Sequence, residues 1–127
     1  MKQGKGDTKV PMPIKVIITS DFLCPWCYLG EARLQKAVQS LGLEKKVELK
    51  WQPCELNPDM TAGGMDRKAY RSRKFGWGRS LQMDAQLAAL GREEGLNFNF
   101  PTITRAANTR LAHRLTLFAE RYGRASD

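Results

Sequence analysis

Histidine occurs once in this chain of 127 residues, cysteine three times, and acidic residues are outnumbered 13 to 21 by lysine and arginine. Each shortage removes something. With one histidine, a tetrahedral zinc site would need His113 together with Cys24, Cys27 and Cys54, the whole stock of thiols. An odd cysteine count rules out a fully paired disulfide framework. No apolar run approaches the length that crosses a bilayer. The opening, Met1 to Lys9, is polar and rich in glycine and lysine, and the short apolar segment after it is interrupted by Lys15. It lacks the hydrophobic stretch and cleavage site of a secretory leader, so a cytoplasmic location is expected. Paired catalytic carboxylates, a glycine-rich phosphate loop and a serine–histidine–aspartate set are not evident. The 42% hydrophobic content with mixed charge fits one globular domain with a modest core.

Chemistry concentrates at Cys24-Pro25-Trp26-Cys27. A β-branched run, Ile14 to Thr19, precedes it, and Tyr28 to Leu34 continues from it as helix. A Cys-x-x-Cys that leaves a strand and opens a helix is a redox arrangement. Its spacing puts both sulfurs on one helix face, within reach of a disulfide. Cys24 falls where free backbone N–H groups and the positive end of the helix dipole favour a thiolate, so a depressed pKa is expected there. Cys24 is the expected nucleophile and Cys27 the resolving thiol. Pro25 suits the first helical position, where no N–H is needed. Zinc knuckles usually follow Cys-x-x-Cys with a glycine turn, not a helix, which disfavours the metal alternative.

Asp21 to Gly30, with its Cys-Pro-Trp-Cys centre, resembles the active-site segment of the DsbA-like thioredoxin-fold oxidoreductases in their FrnE-like branch. Trp51-Gln52-Pro53-Cys54-Glu55-Leu56-Asn57-Pro58 and Asn108-Thr109-Arg110-Leu111-Ala112-His113-Arg114 resemble the same branch. Related glutathione transferases and isomerases carry serine for the first cysteine; both cysteines here favour thiol–disulfide chemistry over glutathione-dependent isomerisation. The resemblance implies an α/β fold, a thioredoxin-like βαβ unit with an all-helical insertion at about 61–123, within a partial domain spanning 13–127. It implies Cys24 and Cys27 as catalytic, and Pro25, Trp26, Asn57, Asn108 and His113 near the substrate, itself a disulfide or thiol. It implies no metal or nucleotide cofactor, with glutathione or a dithiol partner closing the cycle. A non-catalytic binding or regulatory fragment of the same fold is the alternative. The sequence departs from the family in two ways. Cys54 replaces a usual aromatic, and the sequence ends at Asp127, before the family's C-terminal β-hairpin, final helix and cis-proline loop.

Other residues have plainer readings beside their functional ones. His113 is a proton relay, or else a structural hydrogen bond or an exposed ring, which are preferred. Asp21 handles protons beneath the cysteines, or more simply serves as an anion at a helix start. Asn57 is a turn residue before proline. Cys54 lies at the same sheet edge as Cys24 and reads more readily as inert than as a third redox thiol. Six basic residues lie between Arg67 and Arg79; a solvated helix face is preferred to a patch for an acidic partner, and nucleic acid is not expected.

Along the chain, residues 1–12 read as a flexible tail. The nearly continuous apolarity of Ile14 to Thr19 predicts a strand buried on both faces. A helix to about Leu41 follows, with Leu34, Ala37, Val38 and Leu41 on one side and Gly42 ending it. Alternation from Val47 to Trp51 predicts a second, parallel strand. Everything from Thr61 onward reads as helix and loop, with helices at 66–75, 80–94 and 108–122. In the last, Asn108 is an N-cap and Leu111, Leu115, Phe118 and Tyr122 form an apolar stripe. A two-stranded sheet leaves the first strand with an unpaired edge, so a homodimer or a complementing fragment is expected to cover it.

Overall fold

The computed structural model describes residues 13–127; the tail expected at 1–12 lies outside them. Strand β1 (Ile14–Ser20) pairs in parallel with β2 (Val47–Pro53), from Ile14 opposite Val47 to Ser20 opposite Pro53. Helix α1 (Pro25–Ser40) connects them. It ends on Gly42, whose φ of +63° suits a residue without a Cβ. There Leu43 N–H donates to Val38 O at 2.9 Å and Gly42 N–H to Gln39 O at 3.0 Å, the paired closing bonds of a Schellman turn. Three more helices follow: α2 (Arg67–Phe75), α3 (Trp77–Glu93) and α4 (Arg110–Glu120). The α/β architecture is therefore the thioredoxin-like strand–helix–strand unit followed by a helical segment.

Three expectations for the helical segment need correction. It is not wholly helix and loop, because Met65–Asp66 (β3) and Arg105–Ala106 (β4) form a short antiparallel bridge. Gly64 makes that bridge possible: its φ is +70° and a Cβ there would collide with the Ala106 carbonyl. Two-residue strands leave too short a pattern to be read in sequence. Second, α3 begins at Trp77, three residues before its expected start. Third, the basic cluster is only partly a solvated face. Lys68, Arg73, Lys74 and Arg79 are exposed, but Arg67 is buried and Arg71 half-buried around Asp84 of α3. Arg67 reaches both Asp84 oxygens at 3.0 and 2.9 Å, Arg71 lies 3.3 Å from Oδ1 and also bonds Ser80, and the Arg67 guanidinium lies 5.4 Å from the Phe100 ring centre. Paired this way, the buried charges keep their hydrogen bonds.

The core is small. Leu29 of α1 and Leu87 of α3 are fully enclosed and meet Phe100, with Ala88, Leu90, Leu96 and Phe98 around them. Leu29 therefore anchors α1, whereas Leu41, expected on the buried side, is exposed. Nor is β1 enclosed on both faces: Ile14 and Ile17 are 56% and 60% exposed, Ile17 on the face it shares with the exposed Lys15 and Thr19, while Val16 and Ile18 on the other face are half-buried. Among the described residues no helix is long and apolar enough to cross a membrane.

Candidate active site

The carboxyl ends of β1 and β2 converge beside the start of α1. Cys54 N–H donates to Ser20 O at 3.0 Å, carrying the ladder one residue past β2. From Asp21 the chain turns over Phe22 and Leu23, closed by the Cys24 N–H bonding to Asp21 O at 3.1 Å. Cys24 is the N-cap of α1, with extended backbone, and Pro25 takes the first helical position as expected. No side chain caps this end, and the Cys27 N–H donates to Cys24 O at 3.1 Å.

Cys24, Cys27 and Cys54 are all free thiols of intermediate exposure. The Cys27 thiol and the backbone N–H groups of Cys27 and Trp26 are the neighbours that act on ionisation of the Cys24 thiol. The expected depressed pKa is not found. Burial pushes the Cys24 thiol above its ordinary 9.0 and the neighbouring Cys27 sulfur adds to the rise, while the two N–H groups pull it down without prevailing. The helix start thus supplies the donors read from the sequence, and desolvation outweighs them. Glu31, one turn beyond Cys27, is half-buried, and its carboxyl is pushed up by burial. Trp26, Tyr28 and Phe22 present exposed aromatic surface around the motif. Tyr28 meets Phe98 edge-on at 5.8 Å, linking this surface to the core aromatics.

The structure brings two distant motif residues together. Asp21 is 2% exposed. Its Oδ2 accepts the Leu56 N–H at 2.9 Å, its Oδ1 lies 3.0 Å from His113 Nε2, and Leu23 N–H reaches Oδ1 at 3.5 Å. Burial alone would raise its pKa; the bonds from Leu56, Thr109, His113 and Leu23 reverse this and hold the carboxyl below its ordinary 3.8. Asp21 is therefore not a surface anion at a helix start. It is the buried junction of β1, the segment after β2, and α4. His113 is 8% exposed and is the buried residue of its helix, with the Phe22 ring tilted against it at 5.1 Å.

Asn108 works beside this junction. Its Nδ2 donates to Met60 O at 2.7 Å and its Oδ1 accepts the Arg110 N–H at 3.0 Å. It closes the start of α4 as expected, although the N-cap position itself is Thr109. Asn57 is half-buried next to Leu56, and its carbonyl accepts the Met60 N–H at 3.1 Å. Among the described residues no group of three or more histidine, cysteine or acidic side chains could hold a metal ion, and His113 points to Asp21. Leu56 and Thr109, which complete the Asp21 junction, carried no sequence signal: one contributes a backbone N–H, the other an ordinary threonine before a helix. A pocket of about 560 Å³ lies between Trp77, Ala88, Phe100 and Ile103, and no cysteine lines it.

Comparisons with known proteins agree with this geometry. The family model described as DSBA-like thioredoxin domain matches residues 15–127. The uncharacterized protein YwbO of Bacillus subtilis (strain 168) is 28% identical over 116 residues, 91% of this chain and 52% of that protein. The crystal structure of a probable DsbA oxidoreductase, SCO1869 from Streptomyces coelicolor, superposes with a TM-score of 0.76 at 29% identity, covering 89% of this chain and 49% of that one. The chain thus spans about half the length of both.

Proposed function

The chain belongs to the DSBA-like thioredoxin domain family, and on that premise we propose that it is a thiol–disulfide oxidoreductase acting through Cys24 and Cys27. The observation that carries this reading is the pair of free thiols at the start of α1, with Cys24 as its N-cap and Cys27 in its first turn. In the reducing direction, Cys24 loses its proton and attacks one sulfur of a substrate disulfide. A mixed disulfide forms, and the other substrate sulfur leaves as a thiolate and takes up a proton. Cys27 then attacks the Cys24 sulfur, the second substrate thiol is released, and the protein is left with a Cys24–Cys27 disulfide. Two electrons have passed to the substrate; glutathione or a dithiol partner returns them. Run backward, the same steps oxidise a dithiol. The resemblance to the FrnE-like branch and a cytoplasmic location are part of this reading.

Pro25, Trp26 and Asn57 border the sulfurs in sequence or at the sheet edge and are the proposed substrate-facing residues. Asn108 and His113 support the site from α4. The edge of β1 away from β2, unpaired among the described residues, supports a homodimer or a complementing fragment that covers it. The alternative, a non-catalytic binding fragment that keeps the motif, gains support from the raised Cys24 pKa. Insulin reduction by wild type and by Cys24→Ser separates the two. Loss of turnover on substitution, with Cys27→Ser accumulating a mixed disulfide, supports the enzyme; turnover that survives Cys24→Ser removes it.

A further inference from the structure

We propose that His113 is a positioning residue for the leading cysteine, acting through Asp21 so that helix α4 fixes where the Cys24 sulfur sits. This rests on the oxidoreductase reading and adds to it a residue 89 positions away in sequence (113 minus 24). The three residues that lead into Cys24 meet the imidazole twice. Asp21 Oδ1 lies 3.0 Å from Nε2, and the Phe22 ring packs against the imidazole at 5.1 Å. Asp21 also holds Cys24 directly, through its carbonyl and the Cys24 N–H at 3.1 Å, and holds the β2 side through the Leu56 N–H at 2.9 Å. Remove the imidazole and the carboxylate loses its contact to the middle of α4, keeping a long contact from Leu23 on Oδ1.

The same turn sets where Cys24, the N-cap of α1, holds its sulfur relative to the helix start, whose positive end favours a thiolate. A turn free to shift would lose part of that alignment. Stability alone does not explain the arrangement. Helix α4 carries an apolar stripe, yet it turns its histidine inward and leaves Leu111, Leu115 and Phe118 exposed. Buried ionic contacts commonly give no more stability than apolar packing would; what they fix is direction and distance.

The test is the pH profile of thiol exchange with oxidised glutathione, measured on the full chain for wild type, His113→Ala, His113→Gln, His113→Asn and Asp21→Asn, with thermal melting as a check on folding. The Gln amide can place a donor where Nε2 sits; the shorter Asn amide cannot. The expected result is a profile displaced to higher pH in His113→Ala, His113→Asn and Asp21→Asn. Exchange at pH 7 should fall about tenfold, the effect of a one-unit rise in thiol pKa on the thiolate fraction, while the high-pH plateau stays within about twofold. His113→Gln should recover most of the wild-type profile. A general loosening would lower the plateau in every variant, and that result overturns the proposal. So does a wild-type profile in folded His113→Ala. If His113→Ala does not fold, the comparison of Gln with Asn decides, and identical profiles overturn it. Exchange undiminished in Cys24→Ser would instead remove the oxidoreductase reading itself.

Discussion

The strand–helix–strand unit and the helical segment differ in what they bury. The helical segment encloses Leu87 and Phe100 together with Leu29 of α1 and lets three charged side chains satisfy one another around Asp84, while the apolar stripe of α4 stays in solvent. The strand–helix–strand unit carries the cysteines but covers little of its own apolar surface, leaving Ile14, Ile17 and Leu41 in solvent. Several contacts join them, among them Leu29 against Leu87, Tyr28 against Phe98, Arg33 and Lys36 against Glu94, and Asp21 against His113. The chemistry thus sits on the less self-sufficient part, and its geometry is borrowed from the helices.

The sharpest way to break this contrast is Asp84→Ala. It strands Arg67, buried, and Arg71 beside it without a counter-charge, and removing one partner of a buried pair costs about 3–5 kcal/mol. Urea unfolding should show that loss, whereas a combined Asp84→Leu, Arg67→Met, Arg71→Met exchange, which leaves no stranded charge, should recover most of it. A loss below about 1 kcal/mol in the single variant would mean that water reaches the cluster. Next in size is the apolar contrast. Leu87→Ala is expected to cost about 2–5 kcal/mol, while Ile17→Ala should stay within about 0.5 kcal/mol, as exposed positions do. If the two prove alike, something covers β1 in solution, which is what the proposed homodimer or complementing fragment requires.

How much of this was legible depends on the range of each signal. Local patterns worked. The β-branched run gave β1, alternation gave β2, Gly42 marked the end of α1, and Cys-Pro-Trp-Cys marked its start. These need only a few neighbouring residues. What failed needed knowledge of distant partners. Arg67 and Lys68 are adjacent and chemically alike in sequence, yet one is buried because Asp84, a full helix later, lies opposite it. The Cys24 pKa was argued from helix polarity alone, and desolvation, which depends on what packs over the motif, reversed the sign. The stripe on α4 was read correctly as a stripe; which side the helix presents inward was set by Asp21, reached only across 92 residues.

Asp21 offers a milder test of how the two parts are joined. Its folded pKa is held below the ordinary 3.8, so its carboxylate adds stability at pH values above that figure. That contribution is lost as pH falls through the lowered folded value. In Asp21→Asn the corresponding acid-side loss should be absent: the variant is less stable than wild type at pH 6, and the difference narrows between pH 4 and pH 2. Denaturant midpoints across that range check it. A constant difference at all pH values would mean that the carboxyl ionises alike folded and unfolded, leaving Asp21 only a steric part in joining the two regions.

The smallest expected effect tells most about the outer side of that junction. Leu111 and Leu115 are 76% and 67% exposed, on the side of α4 away from His113. Changing both to glutamine removes no contact made within this chain, so its stability should move by no more than about 0.5 kcal/mol. An exposed stripe of this kind is nevertheless a surface on which proteins associate. If the wild-type chain self-associates, the double variant should shift toward the monomer mass in analytical ultracentrifugation while its melting midpoint at low concentration stays unchanged. Association untouched by the change would leave the β1 edge as the surface to alter next, with Ile17→Lys. A large loss of monomer stability would instead mean that α4 packs its stripe inward in solution. His113 could not then hold Asp21, and the join between the two regions would rest on what α1 contributes: Leu29 against Leu87, Tyr28 against Phe98, and Arg33 and Lys36 against Glu94.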